Sequence, residues 1–256
     1  LVVIVCATST TVHAGVMDLP KTSFKDSDKG ERALIAELER LSISAQGEVG
    51  VAVRPLGAAN PVSMNGGHRF PMASTFKIAV AATILSQIDG GTLTLDQMVS
   101  VNADSYVESE VIASSLIHPG VALSVYNLLE LMLTQSDNTA ADSLVALAGG
   151  TAAVTGWLRH HGIRDQEIDR NTAELIRDFL HLAPGPTSGA LADAVKGDPV
   201  FLSKHVGIAD AAFDADPRDR TTPLAMVNLL TALFNGDLLS STSTRTLVDI
   251  MARCRT

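Results

Sequence analysis

Arg69-Phe70-Pro71-Met72-Ala73-Ser74-Thr75-Phe76-Lys77 is the stretch on which the fold turns. A turn hands over to a long apolar helix, with a serine at the handover and a lysine one helical turn later. That spacing sets the Lys77 amine on the serine's side of the helix, within reach of its hydroxyl. Serine is a poor nucleophile unless a neighbouring base accepts its proton. The pair therefore points to a serine acyl-enzyme. The helix that follows, predicted over Thr75 to Ile88, is apolar almost all round, which marks it as buried on most sides. A lysine there is desolvated, which lowers its pKa and equips it as a base. The competing view makes Ser74 a helix cap and Lys77 a surface cation. Burial of the helix argues against it, because an unpaired buried ammonium is costly.

Outward from this stretch the chain divides in two. Asp28-x-x-Glu31 resembles a capping box, and Leu34, Ile35, Leu38 and Leu41 continue it with helical period. Glu48 to Arg54 and Pro61 to Met64 read as two strands of an antiparallel sheet. Two strands alone are marginal, so helices must cover them or further strands join them. After Asn65-Gly66-Gly67 the chain turns helical. Residues 92–123 read as mostly irregular, and helices are predicted over 124–133, 139–147, 152–161, 172–182, 223–234 and 244–252. Residues 183–189, rich in Pro and Gly, read as a linker-like break.

The 256 residues suffice for one large domain or two intimate ones, and a 46% hydrophobic content permits a sizeable aliphatic core. The net charge of −9, with no cluster of Lys and Arg, argues against a nucleic-acid partner. Leu1 to Ala14 is an apolar run ending in Val12-His13-Ala14, the pattern of a secretory leader cleaved after Ala14. A buried strand over Leu1–Val5 is the other reading of that run. Export places the protein in the periplasm or outside the cell. Cys6 as a lipid anchor is disfavoured by Val5 before it, where a small residue is expected. Leader removal leaves Cys254 alone, so no intramolecular disulfide is expected. No later stretch is long and apolar enough to span a bilayer.

A lone Ser-x-x-Lys is weak evidence, since about one is expected by chance in a chain of this length. A second feature, Ser136-Asp137-Asn138, follows an apolar helix. It reads either as a helix cap or as a hydroxyl and an amide serving a substrate. Together the two stretches, with Thr139-Ala140-Ala141-Asp142, resemble the first two signatures of the class A serine β-lactamases. Gly149-Gly150, Gly162, Ile168-Asp169-Arg170 and Arg218-Asp219-Arg220-Thr221-Thr222-Pro223 extend the similarity.

The resemblance implies an α/β fold of the β-lactamase/DD-peptidase type, a helical domain packed beside an α/β domain with an antiparallel sheet. Residues 28–64 would begin the α/β domain and 65–252 would form the helical one. Ser74 becomes the acylated nucleophile and Lys77 its proton partner. Ser136 protonates the leaving nitrogen, Asn138 contacts the substrate's side-chain amide, and Arg170 pairs with Asp219 to close the omega loop. The implied substrate is a small β-lactam, taken by a monomer without metal or organic cofactor. A penicillin-binding D-alanyl-D-alanine carboxypeptidase and a non-hydrolysing β-lactam sensor are the alternatives.

Two departures from the family pattern stand out. The omega-loop region, residues 171–218, holds 48 residues, where compact loops of this type run about 6–16. The family's deacylating glutamate falls on Thr172, which cannot act as a general base. Glu174 is the nearest carboxylate, with Asp178, Asp214 or Asp216 as further candidates, or no carboxylate at all. The family's Lys-Thr-Gly strand lies beyond Thr256, so the C-terminal strands of the sheet are not in this chain. A chain truly ending there is expected to show little activity.

Overall fold

The computed structural model describes residues 2–7, 27–45, 47–102, 105–109, 111–116, 118–205 and 210–254. A small sheet is formed by β1 (Val2–Ala7), β2 (Val49–Arg54) and β3 (Val62–Met64), in the order β1-β2-β3 and antiparallel throughout. Val51 pairs with Val5 on one side and Met64 on the other. Helix α1 (Ser27–Ser42) packs on β3, and α11 (Pro223–Asn235) packs on β1 and β2. The two-stranded sheet read from the sequence thus gains a third strand and helical cover. That third strand comes from the stretch read as an export leader. Its β-branched run pairs along the full length of β2. The leader's cleavage point after Ala14 lies outside the described residues.

From β3 the chain crosses into the helical part through β4 (Phe70–Pro71) and a 3₁₀ turn (Ala73–Phe76) into α2 (Lys77–Asp89). Ala79 through Ala82, with Ile84 and Leu85, is fully buried. This apolar rod is the axis of the molecule. Packed around it are α4 (Val125–Thr134), α5 (Asn138–Ala148), α6 (Thr151–His160) and α12 (Ser241–Met251). Gly50 of β2 sets the approach to the turn. A Cβ there would lie 2.3 Å from the Phe70 ring, so only glycine lets β4 lie this close to the sheet.

Residues 92–123 are more ordered than the sequence suggests. They hold β5 (Met98–Ser100) and the short α3 (Ile112–Ser115), and β5 pairs with β6 (Ala122–Ser124). Between α6 and α11 run α7 (Thr172–Phe179), α8 (Thr187–Gly197), α9 (Phe201–His205), α10 (Ala211–Ala215) and β7 (Arg220–Thr221). The break read at 183–189 is shorter than expected, because α8 begins at Thr187. Contacts across the turn explain this. Arg177 donates to the Gly185 carbonyl and to the Thr187 hydroxyl, and Thr187 donates to the Ala173 carbonyl, folding the Pro-Gly turn back on α7.

Candidate functional site

Ser74 is exposed on the 3₁₀ turn, three residues ahead of a lysine whose side chain disappears into the protein. The turn is fixed from both sides. Phe70 and Pro71 pair with Thr221 and Arg220, and the Met72 amide donates to the Asp219 carbonyl. Ala73 adopts a left-handed φ of 44°. Ser136, in the loop between α4 and α5, has φ 54°, and Asp219 has the same value. Left-handed backbone costs a non-glycine residue about 1–2 kcal/mol, so neighbouring contacts must hold these conformations.

The hold on the Ser136 loop comes from Asp137, which is wholly buried. Its carboxylate accepts from the Ala140 amide at 2.8 Å, capping α5, and from the Ile112 amide at 2.9 Å. With the loop pinned, the Ser136 carbonyl and hydroxyl and the Asn138 side chain converge on Lys77. The ammonium donates to Ser136 O at 2.6 Å, Asn138 Oδ1 at 2.8 Å and Ser136 Oγ at 3.0 Å. Ser136 Oγ in turn donates to Ser74 Oγ at 3.0 Å. Lys77 therefore reaches Ser74 through Ser136, and no direct hydrogen bond joins them. The direct contact read from helical spacing is replaced because three oxygens of the Ser136-Asp137-Asn138 loop draw the ammonium toward α5.

Lys77 is only 2% exposed. Burial pulls its pKa down to about 8, against the opposing pull of the Asp137 and Asp142 charges. A cation ringed by neutral oxygens is thus poised to lose its proton near neutrality. A hydrogen-bonded chain thus runs from the amine through the Ser136 hydroxyl to the Ser74 hydroxyl, an arrangement along which a proton can be exchanged between a serine and a base. The second end of the Asn138 amide is also engaged, donating from Nδ2 to the Glu108 carbonyl at 2.9 Å.

Ser74 opens onto a cavity of about 170 Å³ whose walls include Met72, Phe76, Asn138, Thr172, Leu175 and Ile176. Arg170 and Asp219 also line it. Arg170 Nε donates to Asp219 Oδ2 at 2.6 Å, while Asp219 Oδ1 accepts the Asp169 and Arg170 amides. Asp178 at 2.7 Å and Asp216 at 3.3 Å add to the guanidinium's partners. Burial alone would lower the arginine's pKa, but the bonds to Asp219 and Asp178 outweigh it and raise it.

The structure does not bring Glu174 into this cavity. Its Oε2 accepts from the Asn171 amide at 3.0 Å while its own amide donates to Asn171 Oδ1 at 2.8 Å, a complete capping box at the start of α7. The local helix start claims the carboxylate, which faces solvent. Asp178 and Asp216 are spent on Arg170 and Arg218, and Asp214 is exposed on α10. The position two residues after Arg170 is filled by the buried Thr172.

Two residues have roles beyond the sequence reading. Asp137, in the tripeptide also read as a helix cap, is the cap of α5 and in addition holds the loop through the Ile112 amide. Asp142, one helical turn after Asn138, accepts from the Thr172 amide at 2.7 Å and the Ala173 amide at 2.9 Å. Burial raises its pKa, but the positive end of α7 and the Lys77 charge favour its ionised form. The i, i+4 spacing from Asn138 was the available signal for Asp142, since it puts both residues on one helix face. Its partner, a helix terminus 30 residues away, has no local signature.

A sequence model of the β-lactamase enzyme family matches residues 33–256. The extended-spectrum β-lactamase PER-1 of Pseudomonas aeruginosa is 33% identical over 144 residues, covering 56% of this chain and 47% of its own length. β-Lactamase L2 of Stenotrophomonas maltophilia is 30% identical over 210 residues, covering 82% and 57%. The chain therefore spans about half the length of these relatives. Among solved structures, an ancestral class A β-lactamase superposes with a TM-score of 0.68 at 31% identity, over 87% of this chain and 72% of that one. A β-lactamase from Xanthomonas campestris gives 0.66 at 29%, over 90% and 71%. The helix-rich body beside a small antiparallel sheet is thus the class A fold, and the chain belongs to the β-lactamase enzyme family.

Proposed function

We propose that the protein is a serine β-lactamase that opens the β-lactam amide through an acyl-enzyme on Ser74. The hydrogen-bonded path Ser74–Ser136–Lys77 carries this reading. In acylation, Ser74 Oγ bonds to the β-lactam carbonyl carbon while its proton passes through Ser136 to neutral Lys77. As the ring C–N bond breaks, the proton returns from Lys77 through Ser136 to the leaving nitrogen. Asn138, lining the cavity and braced by Glu108, faces the amide of the substrate's side chain. Water then attacks the ester carbon, the bond to Ser74 Oγ breaks, and the serine regains a proton as the ring-opened acid leaves. These steps need no metal or organic cofactor. The setting is the periplasm or the extracellular space, and the working unit is a monomer. Among the described residues no helix is long and apolar enough to cross a membrane.

One observation favours a second reading, that of a β-lactam-binding protein or D-alanyl-D-alanine carboxypeptidase with a durable β-lactam adduct. The ionisable side chains lining the Ser74 cavity, Arg170 and Asp219, are committed to each other, and Glu174 is committed to its capping box. Attack of water on the ester then lacks a dedicated carboxylate base. Mixing the full-length protein with a chromogenic cephalosporin, while following colour and intact mass, tests both readings. Repeated turnover supports the β-lactamase. A persistent adduct on Ser74 supports the second reading, and D-alanine release from a cell-wall peptide identifies the carboxypeptidase. Absence of any adduct or turnover would sink the acyl-enzyme.

A further inference from the structure

Ser74 stands in the walls of two cavities. In the smaller, of about 170 Å³, the ionisable groups are Arg170 and Asp219, tied to each other at 2.6 Å. The larger, of about 400 Å³, lies on the Lys77 side of the nucleophile. Lys77 and Ser136 share its wall with Ile78, Met132 and Met251. A water takes up about 30 Å³, so this side has room for one beside a group carried on Ser74.

Ser136 Oγ lies 3.0 Å from Ser74 Oγ and 3.0 Å from Lys77 Nζ. A water that attacks an ester carbon bonded to Ser74 Oγ from the larger cavity therefore arrives beside the Ser136 hydroxyl. An ammonium cannot take a proton, but acylation ends with the lysine neutral, its proton having gone to the leaving nitrogen. Burial then favours the uncharged amine. The charges that oppose this are Asp137 and Asp142 of α5, and burial outweighs both. Met132 and Leu133 of α4 and Met251 of α12 face the same cavity and do not titrate, while Cys254, just beyond α12, puts a thiol in its wall.

Resting on the acyl-enzyme reading above, we propose that Lys77, acting through Ser136, is also the base for deacylation, on a water that enters from the larger cavity. The water oxygen bonds to the ester carbon while one of its protons passes to Ser136 Oγ and the Ser136 proton passes to neutral Lys77 Nζ. As the bond from that carbon to Ser74 Oγ breaks, a proton returns from Lys77 through Ser136 to Ser74 Oγ, and the ring-opened acid departs. Acylation and deacylation then use one set of groups in the same order. The 171–218 segment, whose Thr172, Leu175 and Ile176 line the smaller cavity, supplies no base to the reaction.

The test follows decay of the benzylpenicillin adduct of the full-length protein by rapid-quench intact mass, after transfer to buffers of different pH. With a lysine pKa of about 8, decay is expected to quicken about fiftyfold from pH 6 to 8 and only about twofold from pH 8 to 9. A flat profile would overturn the proposal, because a carboxylate base is already ionised across this range. A rise that continues about tenfold per unit past pH 8, the mark of hydroxide acting alone, would overturn it equally. Ser136→Ala, loaded by long incubation, is expected to hold its adduct at least about a hundredfold longer at pH 8, the lower end of what general-base catalysis contributes. An unchanged lifetime there overturns the deacylation role and leaves the acyl-enzyme intact. Cys254→Ser is expected to keep the wild-type profile, and loss of the rise in that variant would move the ionisation to the thiol and away from Lys77. No adduct and no turnover with the wild-type protein would overturn the acyl-enzyme itself, and this inference with it.

Discussion

Two buried cations bear on the Ser74 site, Lys77 by way of Ser136 and Arg170 in the cavity wall, and the protein treats them in opposite ways. Lys77 is 2% exposed and Arg170 is 6% exposed. Lys77 donates its hydrogen bonds to the neutral oxygens of Ser136 and Asn138, and burial pulls its pKa down to about 8 against the more distant charges of Asp137 and Asp142. Arg170 is met by Asp219, Asp178 and Asp216, and its pKa rises despite burial. Two cations largely shut off from solvent therefore have their pKa values moved in opposite directions. The difference lies in the partners, and in chemistry that an amine has and a guanidinium lacks.

The largest effect should follow from making the first cation behave like the second. Lys77→Arg installs a charge that cannot be shed at any working pH. Acylation of Ser74 is then expected to fall by about 10⁴, the upper end of what a general base contributes. Adduct formation followed by mass measures it. Near-normal acylation in this variant would remove Lys77 from the proton path.

Next comes the reverse operation, weakening the tie. Asp219→Asn leaves the Arg170 guanidinium buried with one fewer carboxylate. Breaking a buried pair costs about 3–5 kcal/mol, and Asp178 and Asp216 remain as partial partners, so about 3 kcal/mol of unfolding stability should be lost. Denaturant unfolding of wild type and variant gives the difference. A change below about 0.5 kcal/mol would mean that this cluster behaves like an ordinary surface ion pair.

A third effect follows from the lysine's pKa of about 8. Only neutral Lys77 accepts the Ser74 proton. Well below its pKa the neutral fraction falls about tenfold per pH unit, so acylation should rise about fiftyfold from pH 6 to 8 and only about twofold more above that. The sign is set by burial, which favours the uncharged amine. A flat profile over that range would show that Lys77 carries no proton in the limiting step.

How far the sequence discloses this contrast follows from the range of the forces involved. The turn and the buried helix after it are local, so spacing and apolarity mark Ser74 and Lys77, whereas Ser136 and Asn138 stand out only through the family resemblance of their motif. The helix starts at Thr172 and Pro223 are equally local, each carrying its own cap. What spacing could not reveal was which oxygens hold the Lys77 ammonium. The ammonium's three acceptors come from a loop about 60 residues away, held by Asp137 through an amide of α3. The 171–218 segment is least legible. Its helices are short, and much of their order comes from ion pairs and backbone contacts such as Arg170–Asp178 and Arg177–Gly185, whose partners carry no hydrophobic period.

The smallest expected effect decides the most about that segment. Glu174 is the carboxylate nearest in sequence to where a deacylating base is wanted, but its oxygen closes the Asn171 capping box. Glutamine serves the third position of such a box as well as glutamate does, so Glu174→Gln keeps the cap and removes the charge. Stability should change by less than about 1 kcal/mol, the scale of one exposed charge at a helix N-terminus. The lifetime of the Ser74 adduct should stay the same, because a carboxylate turned to solvent and bonded to the backbone has no water on the ester to activate. A general base contributes about 10²–10⁴ to such a step, so a lengthening of the adduct lifetime on that scale would be unmistakable in intact mass. It would show that α7 releases Glu174 into the cavity once Ser74 is acylated, and that the capping box is the resting position of a catalytic group.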